Sequence, residues 1–187
     1  LSGVWGPGAE EDPTPAGPAA KGFVAAGFNV AGANYPVVAD IKKHVVDKKL
    51  SQVESAEKVG NLLYNRGVYN SMLIAEGIRS AQKITGKKVI NGEDMRRGLE
   101  NLNVDAARLK EIGMEGFAGP IKLTCADHNG HLSTFVQQWD GAKWVKVSGE
   151  VQPLTANVQP LLDEAAKGYV EKNAPWPARS EKCDNKS

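Results

Sequence analysis

The sequence predicts an α/β fold in which a mostly helical region is followed by a meander of antiparallel strands. The first observation is the stretch of residues 61–83, which has no proline, only two glycines, and a length that favours a helix over a strand. The second is the break at Gly119-Pro120, after which residue types typical of strands alternate. The third is the pair of dipeptides Asn129-Gly130 and Asp140-Gly141, which are signals for tight hairpin turns.

The stretch of residues 61–83 is predicted to be a central, buried helix. Most of its residues between Val68 and Ala81 are apolar or small, and the polar ones do not gather on one face. A helix that is apolar almost all round is usually buried. Directly before the apolar part that starts at Val68, residues Tyr64-Asn65-Arg66-Gly67 are predicted to form a turn beside the helix core. Their aromatic, amide and guanidinium groups suit core packing, and they equally suit one wall of a ligand cleft.

Further helices are predicted on both sides of the central one. Residues 3–17 form a loop rich in glycine and proline with an acidic run at residues 10–12. A first helix is predicted over Pro18–Val30, because Val24 and Phe28 are four residues apart, although two glycines interrupt the pattern. The remaining predicted helices are residues 35–49, a helix that starts at Ser51 with Glu54 completing a capping box, and residues 91–99, 105–112 and 158–171.

The strands are predicted to be residues 121–124, 132–139 and 143–147. Asn129-Gly130 would join the first to the second, and Asp140-Gly141 would join the second to the third. The three would form a meander in chain order.

Composition excludes several classes of function. The chain has 187 residues, a net charge of +1 and no basic stripe, so nucleic acid is not an expected partner. Neither a transmembrane helix nor a signal peptide is recognisable, and we expect the natural chain to begin upstream of Leu1. Catalytic motifs, phosphate-binding loops and cofactor fingerprints are also lacking, so neither an enzyme nor a cofactor is predicted.

Two cysteines and a histidine pair are the remaining candidates for chemistry. Cys125 and Cys183 are compatible with one disulfide in an oxidising compartment, and also with two free thiols. His128 and His131, with Asp127 beside them, carry metal-ligand side chains. However, Asn129-Gly130 would place them at the exposed tip of a hairpin, so a polar turn is the preferred interpretation.

Several motifs together resemble one family. They are Gly3-Val4-Trp5 before a Gly/Pro/acidic loop, Pro18-Ala19-Ala20-Lys21-Gly22-Phe23, the helix GVYNSMLIAEGIRSA over residues 67–81, GFAGPI over residues 116–121, DHNG over residues 127–130 and QWDGAKW over residues 138–144. In order and spacing they resemble the branched-chain amino-acid type, or type I, periplasmic solute-binding proteins of ABC transporters. The chain departs from that pattern at Asn70-Ser71, where Asp-Ala is common, and at Gly77, where alanine is usual.

The resemblance implies that this chain is the C-terminal half of such a protein, with a partial type I periplasmic-binding-protein fold. Residues 1–7 would form a crossover strand, residues 8–118 part of one lobe, and residues 119–187 a crossover, the meander and the last helix of the other lobe. The ligand would lie between the lobes. Candidate ligand-binding residues there are Trp5, Tyr64, Asn65, Arg66 and Tyr69, since Arg66 suits a carboxylate and the aromatic rings suit an apolar group.

The implied function is non-catalytic capture of a small amino-acid-like or aromatic carboxylate in the periplasm. The implied partners are the missing N-terminal half and an ABC permease in the membrane. Two alternatives remain open: a ligand-sensing domain of the same fold, and a metal-dependent hydrolase that uses the His128/His131 turn.

Overall fold

The fold combines five α-helices with two small antiparallel sheets among the residues that can be described. A computed structural model of the chain describes residues 9–53, 55–130, 133–177, 179–181, 183 and 184. None of the described helices is both long enough and apolar enough to cross a membrane. The helices are α1 (Pro36–Ile41), α2 (Leu62–Thr85), α3 (Gly92–Leu99), α4 (Ala106–Glu111) and α5 (Thr155–Lys172), and the strands are β1 (Val24–Gly27), β2 (Asn103–Val104), β3 (Ile121–Lys122), β4 (Phe135–Trp139) and β5 (Trp144–Lys146).

Helix α2 confirms the predicted central helix and corrects two details of it. Residues 64–67, predicted as a turn, lie within the first turns of the helix, which begins at Leu62. Its buried residues lie along one side, whereas Leu63 and Ile74 remain more than half exposed. The prediction of a helix buried all round is therefore wrong, because the rest of the described chain covers only one side of it. Gly86, in the left-handed conformation with φ of 71°, ends the helix.

Helix α3 packs closely on the second half of α2. Asn91 and Asp94 form a capping box at its start. Gly98 faces Gly77 and Ala81, and a Cβ at Gly98 would lie only 2.7 Å from the Cβ of Ala81. The absence of a side chain at Gly98 thus allows the two helices to approach each other.

The segment predicted as a first helix, Pro18–Val30, folds differently. A 3₁₀ segment covers Thr14–Ala20, and β1 follows at Val24–Gly27. Strand β1 pairs antiparallel with β4, with Val24 opposite Gln138 and Gly27 opposite Phe135. The helix prediction is wrong because the pairing partner lies more than a hundred residues away and leaves no local signal.

The main sheet has the order β1–β4–β5. The hairpin at Asp140-Gly141 is confirmed, and the Asp140 carboxylate accepts hydrogen bonds from the amides of Ala142 and Lys143 at 2.8 and 2.9 Å. The first predicted strand of the meander does not join this sheet, since β3 pairs with β2 instead. The prediction of a hairpin at Asn129-Gly130 is therefore wrong. A local turn replaces it, in which the amide of Asp127 donates to the Thr124 hydroxyl at 3.0 Å.

The other helices agree with the sequence to different degrees. The predicted helix at residues 35–49 is α1 continued by a π-helical turn over Lys42–Val46. The helix predicted from Ser51 is reduced to a 3₁₀ turn over Ala56–Lys58, and its proposed capping residue Glu54 lies outside the described residues. Helices α3, α4 and α5 lie where residues 91–99, 105–112 and 158–171 predicted them.

Two apolar clusters hold these elements together. The larger consists of Val38, Val59, Tyr69, Met72, Leu102, Val104, Leu109, Met114, Phe117 and Ile121. The smaller lies under the main sheet and consists of Ala20, Ala25, Leu62, Trp139 and Trp144. Because β4 pairs with β1, the sheet draws strands from both sides of Gly119. The division into residues 8–118 and 119–187 stays a prediction, and the crossover predicted for residues 1–7 lies outside the described residues.

Candidate functional site

The N-terminal end of α2 carries most of the predicted ligand-binding residues. Its first amide, that of Leu62, donates to both carboxylate oxygens of Glu10 at 2.9 and 3.0 Å. The Glu10 side chain thus occupies the positive end of the helix dipole, a favourable place for an anion. Burial raises the pKa of Glu10, and the hydrogen bond from Leu62 only partly offsets that effect.

Arg66 extends from α2 toward the segment that follows β1. Its Nε donates to the Asn29 Oδ1 at 3.3 Å, and its guanidinium carbon lies 5.0 Å from the centre of the Phe28 ring. Burial lowers the pKa of Arg66 from its ordinary value. Asn29 is fully buried and is itself fixed, because its Nδ2 donates to the Leu62 carbonyl at 3.1 Å. These contacts hold the guanidinium in one orientation.

The Asn65 side chain is used in hydrogen bonds within the protein and is not exposed to solvent. Its Nδ2 donates to the carbonyls of Val30 and Gly32, at 3.0 and 2.9 Å, so it ties the chain after β1 to the helix. The side chain is completely buried. Its Oδ1 has no hydrogen-bond partner among the residues that the structure describes.

Tyr69 belongs to the larger core cluster. It is 3% exposed, and its ring meets Phe28 edge-on with 5.8 Å between the ring centres. Burial raises the pKa of Tyr69 to about 12. Its hydroxyl, like the Asn65 Oδ1, finds no hydrogen-bond partner in the described part of the chain.

Tyr64 lies on a different side of the helix. It is half-buried and lines a shallow pocket of about 430 Å³ with residues of α1 and α2, including Ile41 and Val68. Residues two positions apart on an α-helix do not face each other, so Tyr64 and Arg66 point to nearly opposite sides. The structure therefore brings together Arg66, Asn65 and Tyr69 but not Tyr64. The fifth candidate, Trp5, lies outside the described residues.

Sequence reasoning missed three residues of this site: Glu10, Phe28 and Asn29. The sequence places Glu10 in an acidic loop, and it places Asn29 near the end of a predicted helix that does not form. The available signal was the position of Asn29 between Phe28 and Val30, since an amide within an apolar run has to satisfy its polar atoms when it is buried.

The cysteines and the histidine turn form a separate region. Cys125 and Cys183 are joined by a disulfide with 5.8 Å between their Cα atoms. The His128 Nε2 lies 3.2 Å from a carboxylate oxygen of Glu100. No group of three metal-ligand side chains occurs in the described ranges, and His131 lies outside them.

Comparisons with known proteins identify solved structures that share this fold. No protein-family model and no curated protein sequence matches the chain. A crystal structure described as an ABC transporter permease from the Pseudomonas fluorescens group is 37% identical, with a TM-score of 0.88, over 95% of this chain and 43% of that one. A branched-chain amino acid ABC transporter protein from Thermus thermophilus with bound valine is 21% identical, with a TM-score of 0.60, over 81% of this chain and 38% of that one.

A third structure, an ABC transporter solute-binding protein from R. palustris in complex with benzoate, is 16% identical, with a TM-score of 0.43, over 76% of this chain and 34% of that one. The first two confirm the predicted resemblance: the chain has the fold of one part of a type I periplasmic solute-binding protein. It spans less than half the length of the solved proteins that it matches, as expected for a half-sized part.

Proposed function

We propose that this chain is part of the substrate-binding component of an ABC importer. In this proposal it captures a small amino-acid-like or aromatic carboxylate in the periplasm, without catalysis, and delivers it to a membrane permease. The observation that carries the proposal is the arrangement of Arg66. A partly buried guanidinium, oriented by Asn29 and Phe28, suits recognition of a carboxylate by charge-assisted hydrogen bonds.

The chemistry of the surroundings supports the same ligand class. The Thermus thermophilus protein of the same fold holds valine, which carries a carboxylate beside an apolar side chain. In this proposal Phe28 covers an apolar group next to the carboxylate, and Trp5 is the other aromatic candidate, whereas Tyr64 lies on the opposite side of α2 from Arg66. A periplasmic location agrees with the Cys125–Cys183 disulfide, since disulfides persist in oxidising compartments.

The second partner that we propose is the remaining portion of a two-lobed protein. Helix α5 is fully described, and none of its residues is buried. A helix with a large uncovered apolar face normally packs against another surface. Its exposed apolar residues are Val158, Leu161, Leu162, Tyr169 and Val170, and Leu154 precedes them. More than half of the Pseudomonas protein has no counterpart in this chain, and polypeptide of that kind would supply the cover.

The experiment uses the protein purified with both lobes. Native mass spectrometry before and after denaturation first identifies any ligand that is purified with the protein. Calorimetric titration then measures the affinity of the protein for two probes, L-valine and benzoate. Arg66→Gln should weaken carboxylate binding by roughly tenfold or more, because a charge-assisted hydrogen bond contributes on the order of 1.5–3 kcal/mol.

The matched control is Arg79→Gln, on the same helix, whose side chain is 60% exposed and pairs with Glu76. It should leave the affinity unchanged. If neither probe binds and no ligand is released on denaturation, the proposed function is wrong. If a carboxylate binds equally well to the Arg66→Gln protein, the function stands and the assigned role of Arg66 is wrong.

A further inference from the structure

The chain contains two Asn-Gly dipeptides, and the structure gives them different surroundings. Asn91-Gly92 lies at the start of α3, and Asn129-Gly130 lies in the irregular segment that follows β3. Both asparagines are exposed to solvent. Exposure alone therefore does not distinguish the chemistry of the two dipeptides, and the difference lies in their hydrogen bonds.

The Asn91 side chain is held by the helix that it caps. Its Oδ1 accepts a hydrogen bond from the Asp94 amide at 2.9 Å, and the Asp94 carboxylate accepts one from the Asn91 amide at 3.1 Å. This capping box fixes the side-chain carbonyl of Asn91 over the first turn of α3. A reaction at the Asn91 Cγ has to break that hydrogen bond first.

The Asn129 side chain has no comparable restraint among the residues that the structure describes. Its backbone is ordered, because its amide donates to the Asp127 Oδ1 at 2.9 Å, but that contact leaves the side-chain amide group free to rotate. Gly130 follows it with φ of 70° and belongs to no helix or strand. A glycine nitrogen can approach the preceding side chain closely, since glycine has no Cβ in the way.

Packing requires a glycine at position 130. A Cβ there would lie 2.7 Å from the Ile121 Cγ1 and 2.9 Å from the Leu123 Cδ2, and the positive φ also disfavours other residues. The Asn-Gly pair at this turn is thus tied to the way in which the turn packs on Ile121 and Leu123.

Asn129 also borders the start of α5. It lines a groove of about 340 Å³ together with Leu154, Thr155 and Val158. In α5, which is described throughout, the N-cap residue Leu154 makes no side-chain capping bond and the first turn carries no acidic residue. A negative charge at position 129 would therefore lie near the positive end of a helix dipole that its own first turn does not neutralise.

We propose that Asn129-Gly130 is a site of spontaneous deamidation, and that the carboxylate formed there stabilises α5. The Gly130 nitrogen attacks the Asn129 Cγ, the Cγ–Nδ2 bond breaks, and ammonia leaves with the proton of the Gly130 nitrogen, so that a cyclic succinimide forms. Water then adds to one succinimide carbonyl and opens the ring to aspartate or isoaspartate. No electrons are transferred, water is the only co-reactant, and the turn gains one negative charge. The proposal does not rest on the proposed carboxylate ligand.

Peptide mapping by mass spectrometry, after incubation of the protein at mildly alkaline pH, tests the reaction. Residue 129 should gain about 1 Da, the difference between the ammonia lost and the water gained. In the folded protein it should react roughly fivefold faster or more than residue 91, because Asn91 must first give up its capping bond. In urea, where neither side chain is held, the two rates should converge. If Asn129 reacts no faster than Asn91 in the folded protein, the proposal is wrong.

Two variants test the effect on the helix. Asn129→Asp supplies the aspartate product from the start, and Asn129→Gln keeps a neutral amide at the same position. At low ionic strength, the amides of α5 should exchange with solvent roughly two- to fivefold more slowly in the Asn129→Asp protein than in the Asn129→Gln protein. Concentrated salt should remove this difference, because it screens an exposed charge. Equal exchange of α5 in the two proteins at low ionic strength would show that the carboxylate does not act on the helix, and it would overturn the proposal.

Discussion

Asn65 shows how one buried amide can organise a loop. Both hydrogen bonds of its Nδ2 go to carbonyls in the segment after β1, and no other described side chain makes those two contacts. Replacement by alanine would leave these carbonyls without their donor inside the protein. Asn65→Ala should therefore lower the free energy of unfolding by about 1–3 kcal/mol, measured by urea denaturation.

The control for that measurement is Asn70→Ala, at an exposed position of the same helix. It removes the same side chain without a buried hydrogen bond, so its effect should stay within roughly 0.5 kcal/mol. Equal effects of the two substitutions would mean that the contacts of Asn65 contribute nothing to stability beyond helix propensity.

Glu10 gives the chain a specific dependence of stability on pH. Because burial raises its pKa in the folded state, the folded protein binds a proton more tightly than the unfolded chain. The contribution of Glu10 to stability is thus most favourable below its ordinary pKa of 4.5, and it declines as the pH rises through that value toward the raised one. Glu10→Gln should remove this decline from a series of urea denaturations between pH 4 and pH 7.

The opposite sign applies to Glu76, which serves as the comparison. Hydrogen bonding from Arg108 lowers its pKa, against a smaller opposing effect of burial. The contribution of Glu76 to the stability of the folded state is present above the ordinary pKa of its carboxyl group and is lost as the pH falls through the lowered pKa. If Glu10→Gln and Glu76→Gln changed the pH profile in the same direction, the assignment for Glu10 would be wrong.

At the scale of elements, the packing of α2 on α3 depends on Gly98. A methyl group there would come within 2.7 Å of the Ala81 Cβ and 2.8 Å of the Ala81 backbone nitrogen, so one helix would have to move. Gly98→Ala should lower the free energy of unfolding by about 1–3 kcal/mol or more, because overpacking at a backbone contact cannot relax through a side chain.

Gly67→Ala is the matched control, since a Cβ at that helical position of α2 meets nothing within 4 Å. Alanine favours helix over glycine by roughly 0.5–1 kcal/mol. The Gly67→Ala protein should therefore be as stable as the original or more stable in the same denaturation assay. A stabilising effect of Gly98→Ala would contradict the close approach of the two helices.

The sequence predicted those elements whose signals are local. The length of α2, the start of α3 at Asn91 and the Asp140-Gly141 hairpin are each set by residues close together in the chain, and all three form as expected. Strand β1 and the pairing of β3 with β2 depend instead on distant partners. Local spacing could not reveal them, and Val24 and Phe28 mimicked a helical pattern.

The candidate site was predicted only in part for the same reason. The residue types of the stretch 64–69 indicate a binding wall, but only its helical conformation places Tyr64 and Arg66 on different sides. Asn29 and Glu10 both contact Leu62 of α2, from which they are separated by 33 and 52 positions in the sequence. The partners that orient Arg66 therefore could be found only in three dimensions.

At the scale of the whole molecule, α5 is the element least supported by its own chain. An 18-residue helix without buried residues is marginally stable in water, because most helical stability in proteins comes from packing. In the 187-residue chain alone, the amides of α5 should exchange faster with solvent than those of α2. Hydrogen exchange followed by mass spectrometry compares the two helices in one experiment.

The same helix tests the proposed two-lobed architecture. In the protein that carries both lobes, α5 should become protected, because the other lobe would cover Leu161 and Leu162. The double substitution Leu161→Asp, Leu162→Asp should abolish that protection, since it would place two charges in an apolar interface. Lys167→Asp, at a side chain that is 79% exposed, changes charge without removing apolar surface and should leave the protection intact. If α5 exchanges equally fast with and without the other lobe, that lobe does not cover the apolar face of α5, and the proposed packing is wrong.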